Sequence, residues 1–154
     1  MILSSTDWPT SGHHCFEFRM GIEGEAAAAA ARHRTADDLI QLADMVSKLE
    51  TLDASKEPGL EEDYNFHLCV ARASQNSFYS SVIQAIRGNI FGGMLLARTT
   101  SGLRTAEKVA AINEQHRAIY EAIVAGDPDR ARQAMRYHLL ACRKSTRHWD
   151  ASVG

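Results

Sequence analysis

The sequence has few prolines and cysteines and no long apolar run, and each shortage excludes a class of protein. Its 154 residues include 3 prolines and 3 cysteines. An odd number of widely spaced cysteines does not suit a disulfide framework and is typical of a reducing compartment. No stretch approaches the roughly 18 apolar residues that a membrane span requires, and the N-terminus lacks a signal-peptide pattern. We therefore expect a cytoplasmic protein without a membrane segment.

The chain also lacks an excess of charge of one sign. It has 17 basic and 19 acidic residues, a formal net charge of -2. This balance gives no reason to expect that the chain itself binds nucleic acid or a membrane surface. Hydrophobic residues make up 45% of the sequence, and a chain of this length can bury a substantial core. One folded domain is predicted.

Helical periodicity is the main positive signal. Apolar residues repeat at three or four positions through most of the chain, and no segment shows sustained alternation among strand-forming residues. The six alanines at 26–31 predict a first helix from about His14 to Arg32, with side chains small enough for close helix packing. Helix N-caps are predicted at Thr35, Asn76, Thr105 and Asp127. The expected fold is all-α, an antiparallel bundle of about six to seven helices over residues 14–150.

Two segments are expected to depart from this regular pattern. Residues 1–13 mix turn formers with isolated apolar residues, which indicates a linker or the remnant of a truncation. From Asn76 onward the pattern predicts one long helix that bends at Gly92-Gly93 and is followed by a loop at 99–102. Both departures rest on glycine, proline and polar residues rather than on periodicity.

Four polar residues stand on faces that otherwise point to the core. Asp63 and His67 are four positions apart, so their side chains share one helix face. His116 and His138 each interrupt an apolar stripe of a later helix. Burying such groups without partners costs about 1 to 3 kcal/mol each. A shared divalent metal ion would satisfy them, and so would an internal hydrogen-bond network between the aspartate and the histidines; spacing alone leaves both open.

Three stretches of the chain resemble a known family. They are FEFRMGIEGEAAAAAARHRT, DYNFHLCVARASQN and EQHRAIYEAIVAGDPDRARQAMRYHL. Together they are similar to the C-terminal ligand-binding domain of FadR-type regulators in the GntR family of bacterial transcription factors. The most specific parts are the Asp-x3-His of residues 63–67, the histidine of EQHRAI and the closing AMRYHL.

This resemblance implies a metal site and a ligand beside it. It implies that Asp63, His67, His116 and His138 bind a divalent ion, with zinc or nickel the expected metals. It also implies a small carboxylate metabolite as effector, with Arg19 of the first helix close to it. From the residues alone, Arg19 is equally consistent with a surface ion pair to Glu23, four positions on. Asn89 lies between two isoleucines of the long helix and is a second candidate for ligand binding.

The resemblance further implies a homodimeric regulator that binds DNA through a winged helix-turn-helix domain. The sequence before the first helix is too short for that domain, so we expect an excised domain or a naturally shortened relative. A metalloenzyme acting on a small organic acid is one alternative, but the chain has neither an HExxH motif nor paired Glu-x-x-His motifs. A purely structural metal is the other. We expect a sensor rather than an enzyme.

Overall fold

Seven helices make up the described part of the chain. A computed structural model describes residues 8–53, 59–100 and 105–150. The helices are α1 (Trp8–His33), α2 (Ala36–Thr51), α3 (Leu60–Ala73), α4 (Ser77–Ala85), α5 (Arg87–Thr100), α6 (Ala106–Val124) and α7 (Pro128–Asp150). No strand occurs within those ranges, and the predicted all-α fold is confirmed. In the same ranges no helix is long and apolar enough to cross a membrane.

The first helix begins earlier than the sequence predicts. Because α1 starts at Trp8, residues 8–13 are helical. The rest of the predicted linker, residues 1–7, lies outside the described residues. Pro9 is compatible with this start, since N–H groups in the first turn of a helix have no acceptor within the helix. The turn-forming residues within 8–13 are therefore part of the first helix and do not mark where it begins.

The ends of the later helices follow their local signals. Thr35 and Asp38 form a reciprocal capping box at the start of α2. The predicted caps at Asn76, Thr105 and Asp127 each accept a backbone N–H. Gly126 has a φ of +65° after α6, a left-handed conformation that glycine adopts without steric strain. These hydrogen bonds lie within a few residues of one another, which explains why sequence predicts them.

The long helix predicted after Asn76 is two helices, and they separate at a different position from the predicted bend. The chain interrupts at Ile86, with φ -100° and ψ 15°, between α4 and α5. The Gly92-Gly93 pair lies inside α5, and the predicted loop at 99–102 begins with two residues of that helix while 101–104 fall outside the described residues. Ile86 is neither glycine nor proline, so its residue type does not mark the break.

Helix α1 organises the bundle. It packs most extensively against α7 and also contacts α3 and α6. The buried alanines Ala27, Ala30 and Ala31 let neighbouring helices approach closely, and they join one hydrophobic cluster with Phe66 and Met135. Burial of this cluster removes apolar surface from water, which stabilises the packing of α3, α6 and α7 around α1. Polar side chains on these four helices are thereby brought into one interior region.

Candidate metal centre

Four metal-ligating side chains converge between α3, α6 and α7. Asp63 and His67 come from α3, His116 from α6 and His138 from α7, and all four are buried. One ligand atom from each lies within 4.8 Å of the others. The structure thus brings together the four residues that the sequence proposed as ligands.

The orientation of the imidazole rings directs nitrogen atoms at a common point. Asp63 Oδ1 lies 3.3 Å from the Nε2 atoms of both His67 and His116. Neither of those Nε2 atoms has a hydrogen-bond partner within the described residues. Phe66 supports the arrangement, since its ring packs edge-on against the ring of His116, with the two ring centroids 4.8 Å apart. Buried ring nitrogens without hydrogen-bond partners are atoms that a bound cation could engage once they are deprotonated.

Two polar side chains behind the cluster each contact the Nδ1 atom of one histidine, His67 or His138. Glu23 Oε1 lies 2.5 Å from His67 Nδ1, and Gln115 Oε1 lies 2.7 Å from His138 Nδ1. Each oxygen accepts a hydrogen bond from the Nδ1–H group, which leaves the Nε2 atom of the same ring for another partner. Outer hydrogen bonds of this kind accompany metal-binding histidines and orient their rings.

The pKa values of the cluster reflect burial and mutual contact. Burial raises the pKa of Asp63, but His116 and His67 lower it more, so it lies well below its usual range. Burial lowers the pKa of His138, and the two other histidines lower it further. Burial also lowers the pKa of His67, but the carboxylates of Glu23 and Asp63 together outweigh this and raise it to about 9. Asp63 is therefore anionic and His138 neutral, as a metal ligand must be, whereas His67 must lose a proton.

Glu23 contacts the cluster, but the sequence did not single it out as a candidate site residue. It is fully buried on α1 and bridges His67 to Arg19, whose Nε donates to Glu23 Oε2 at 2.5 Å. Burial raises the Glu23 pKa, but Arg19 and His67 outweigh it and bring it to about 2. The Arg19–Glu23 ion pair considered from spacing does exist, but it is buried rather than on the surface. A charged pair at helical spacing next to an alanine run was the available signal.

A cavity opens beside the cluster. It has a volume of about 420 Å³, and its lining includes Asp63, His67 and His138. Arg19, Lys108 and Lys144 also line it, so basic side chains outnumber the one aspartate. Arg19 Nη2 is buried and has no hydrogen-bond partner among the described residues. A cavity of this size and charge suits a small anion.

Asn89 is not brought to this cavity. It is half-buried on α5 and is not among the described residues of the cavity wall. Gly93, one helical turn further along the same helix, does line the cavity. The wall from α5 is therefore formed by backbone and small or apolar side chains, such as Met94 and Ala97, and not by the amide that the sequence suggested.

A protein-family model described as the FCD domain matches residues 14–141. Curated relatives include the HTH-type transcriptional regulator LutR of Bacillus subtilis (strain 168), 31% identical over 123 residues, which covers 80% of this chain and 56% of the relative. A putative L-lactate dehydrogenase operon regulatory protein of Escherichia coli (strain K12) is 31% identical over 148 residues, 94% of this chain and 55% of the relative. The chain spans about half the length of the curated relatives it matches.

Solved structures share the fold. A GntR protein of Streptococcus agalactiae superposes with a TM-score of 0.74 at 26% identity, over 93% of this chain and 62% of the other. The E. coli protein McbR/YncC superposes with a TM-score of 0.66 at 19% identity, over 81% of this chain and 58% of the other, which supports the fold alone. The helical arrangement of the described residues is thus shared with these solved structures.

Proposed function

Because this chain belongs to the FCD-domain family, the C-terminal effector domains of GntR/FadR-type transcription regulators, we propose that it binds a divalent metal ion and a small carboxylate metabolite. The observation that carries this proposal is the juxtaposition of three buried imidazoles and one carboxylate with a basic cavity. The relatives are transcription regulators rather than enzymes. We therefore assign the site to sensing and not to catalysis.

The donor set supports the metal half of the proposal. Asp63, His67, His116 and His138 would hold the ion through three nitrogen atoms and one oxygen atom. Imidazole and carboxylate ligands of this kind suit zinc and nickel, which are the metals we propose. An ion bound there would supply a Lewis acid that attracts carboxylate oxygens. Three of the four proposed ligand residues also line the cavity, so a carboxylate bound in the cavity would lie next to the metal ion.

The charges of the cavity support the carboxylate half. The guanidinium of Arg19 presents a buried Nη2 without a hydrogen-bond partner among the described residues, and guanidinium groups match carboxylates geometrically. Lys108 and Lys144 add positive charge to the wall. One relative is named for an L-lactate dehydrogenase operon, and L-lactate is a small hydroxycarboxylate. We propose an effector of this chemical class.

Regulation of DNA binding is proposed for the longer protein. The described residues form a helical effector domain, and DNA would be bound through a separate winged helix-turn-helix domain, as a cytoplasmic homodimer. An effector changes DNA affinity only if it binds one arrangement of the dimer more tightly than the other. The expected consequence is that carboxylate binding alters the relative placement of the two DNA-binding domains.

Two measurements on the purified protein test the proposal. Elemental analysis should find close to one zinc or nickel ion per chain, and calorimetry should detect L-lactate or a related small carboxylate in the metal-loaded form. Arg19→Gln should weaken carboxylate binding about tenfold or more, the effect of one lost charge-assisted hydrogen bond. Arg87→Gln is a matched control, since Arg87 is exposed and pairs with Glu61 outside the cavity.

The outcomes separate three readings of the site. Metal binding with carboxylate binding that depends on metal supports the sensor. Metal that stabilises the fold while no small carboxylate binds would favour a purely structural ion, an alternative suggested by the origin of the ligands on three helices. Turnover of the acid would favour an enzyme. Absence of metal from the wild type, even after loading, would refute the proposal.

A further inference from the structure

Glu23 is a buried carboxylate that lies behind both halves of the proposed site. It is 1% exposed and is not among the described residues that line the cavity. A buried carboxylate is costly unless it is paired and hydrogen-bonded. Its two oxygens are engaged by His67, a proposed metal ligand, and by Arg19, the proposed carboxylate anchor. One side chain therefore contacts a member of each half.

The contact with His67 determines which nitrogen is free for metal. Glu23 Oε1 and His67 Nδ1 are 2.5 Å apart. Because an ionised carboxylate can only accept hydrogen bonds, Nδ1 carries a proton and donates it. His67 Nε2 then lies on the opposite side of the ring, 3.3 Å from Asp63 Oδ1 and without a hydrogen-bond partner in the described residues. Such a carboxylate also increases the basicity of the imidazole as a metal ligand.

The contact with Arg19 restrains a long side chain at the cavity wall. Glu23 Oε2 accepts a hydrogen bond from Arg19 Nε, and the guanidinium is 3% exposed. Arg19 Nη2 makes no hydrogen bond to the described residues, so this part of the guanidinium can still donate to a ligand. A restrained guanidinium loses less conformational freedom when it binds an anion, which favours affinity.

We propose that Glu23 is a positioning residue shared by the two subsites, with one oxygen orienting a metal ligand and the other orienting the guanidinium that receives the carboxylate. This inference rests on the proposed function. It extends that function because metal and effector binding then depend on one group that contacts neither. Replacing Glu23 by glutamine removes one acceptor oxygen and adds an NH₂ group, so at least one of the two contacts is lost.

The first test compares Glu23→Gln with Glu25→Gln. Glu25 lies two residues further on the same helix and pairs with Arg132 and Arg136 at the surface, so its replacement also removes ion pairs from α1. Affinity for Co²⁺ is measured by competition with a chelating dye. Glu23→Gln is expected to weaken it about 10- to 100-fold, as loss of an outer-shell partner does, and Glu25→Gln is expected to leave it unchanged.

The second test reads the two contacts directly by nuclear magnetic resonance in the Zn²⁺-loaded protein. The wild type and Glu25→Gln should show slowly exchanging protons on His67 Nδ1 and Arg19 Nε, and Glu23→Gln should lose at least one of them. If Glu23→Gln fails to fold, the wild-type spectrum decides alone. A zinc-bound Nδ1 of His67, or an Arg19 Nε–H in fast exchange with water, would overturn the proposal.

The affinity measurements distinguish this inference from the proposed function. Wild-type affinity for Co²⁺ in Glu23→Gln would overturn the role of Glu23 and leave the metal site intact. A wild type that binds neither Co²⁺ nor Zn²⁺ would overturn the proposed function itself. A selective loss of Co²⁺ affinity in Glu23→Gln, together with both proton signals in the wild type, supports the shared role.

Discussion

Zinc should stabilise the folded protein by an amount that grows with the logarithm of its concentration. The four proposed ligands come from α3, α6 and α7, and one ligand atom of each lies within 4.8 Å of the others in the fold. In the unfolded chain only Asp63 and His67 remain neighbours, so the unfolded state binds the ion far more weakly. At a free zinc concentration of 100 times Kd the expected stabilisation is about 2.7 kcal/mol. For a chain of this length that corresponds to a rise in Tm of about 5 to 11 °C.

The assay is thermal unfolding followed by circular dichroism, first with chelator and then at a series of free zinc concentrations. Each tenfold increase above Kd should add about 1.4 kcal/mol. His116→Ala should abolish most of this dependence, whereas His33→Ala should preserve it, because His33 is exposed at the end of α1. The variants are compared by the slope of stability against the logarithm of zinc concentration, not by Tm itself, since His116→Ala also changes a buried contact. Equal slopes in the wild type and His116→Ala would refute the assignment of the site.

Three further predictions follow from the same structure. The pKa of His67 is raised to about 9 without metal, so metal binding at pH 7 should release about one proton from this side chain, and metal affinity should weaken as the pH falls. Calorimetry in buffers of different ionisation enthalpy measures the proton release. Absence of this release would contradict the assigned protonation. Phe66→Ala should destabilise the metal-free protein by about 3 to 5 kcal/mol, since Phe66 is fully buried; urea unfolding checks this, and a loss under 1 kcal/mol would be inconsistent with that burial. Gly126→Ala should lower the free energy of unfolding by about 1 kcal/mol because of the left-handed backbone at Gly126. Gly88→Ala in α5 adds a Cβ that meets no atom within 4 Å and should raise the free energy of unfolding by about 0.5 to 1 kcal/mol. Equal effects of the two substitutions would contradict the backbone argument.

The proposed metal ligands were accessible to sequence reasoning for a specific physical reason. Asp63 and His67 are four positions apart, and helix geometry places such residues on one face whatever surrounds them. His116 and His138 interrupt apolar stripes, and a polar residue on such a stripe must be buried with the rest of the face. Their burial in the structure agrees with this reasoning. That they meet one another was an expectation drawn from family resemblance and not from spacing.

Glu23 and Asn89 show which features the sequence pattern does not specify. Glu23 could be paired with Arg19 from spacing, but periodicity does not reveal whether the pair faces solvent or the interior of the bundle. Asn89 lies between half-buried Ile86 and buried Ile90, yet it is not among the described residues of the cavity wall. One position along a helix turns a side chain by about 100°, so small differences in how a helix is rotated decide which polar groups reach a cavity.

The sequence by itself determined the helices, most of their ends and the inward direction of the candidate ligands. Those features depend on hydrogen bonds and apolar contacts between residues within about one helical turn, and residue type specifies them directly. Tertiary structure decided that α1 extends back to Trp8, that the chain breaks at Ile86, and that Glu23 joins His67 to Arg19. These depend on the packing of whole helices around the alanines of α1, a sum of many weak contacts that no single residue specifies.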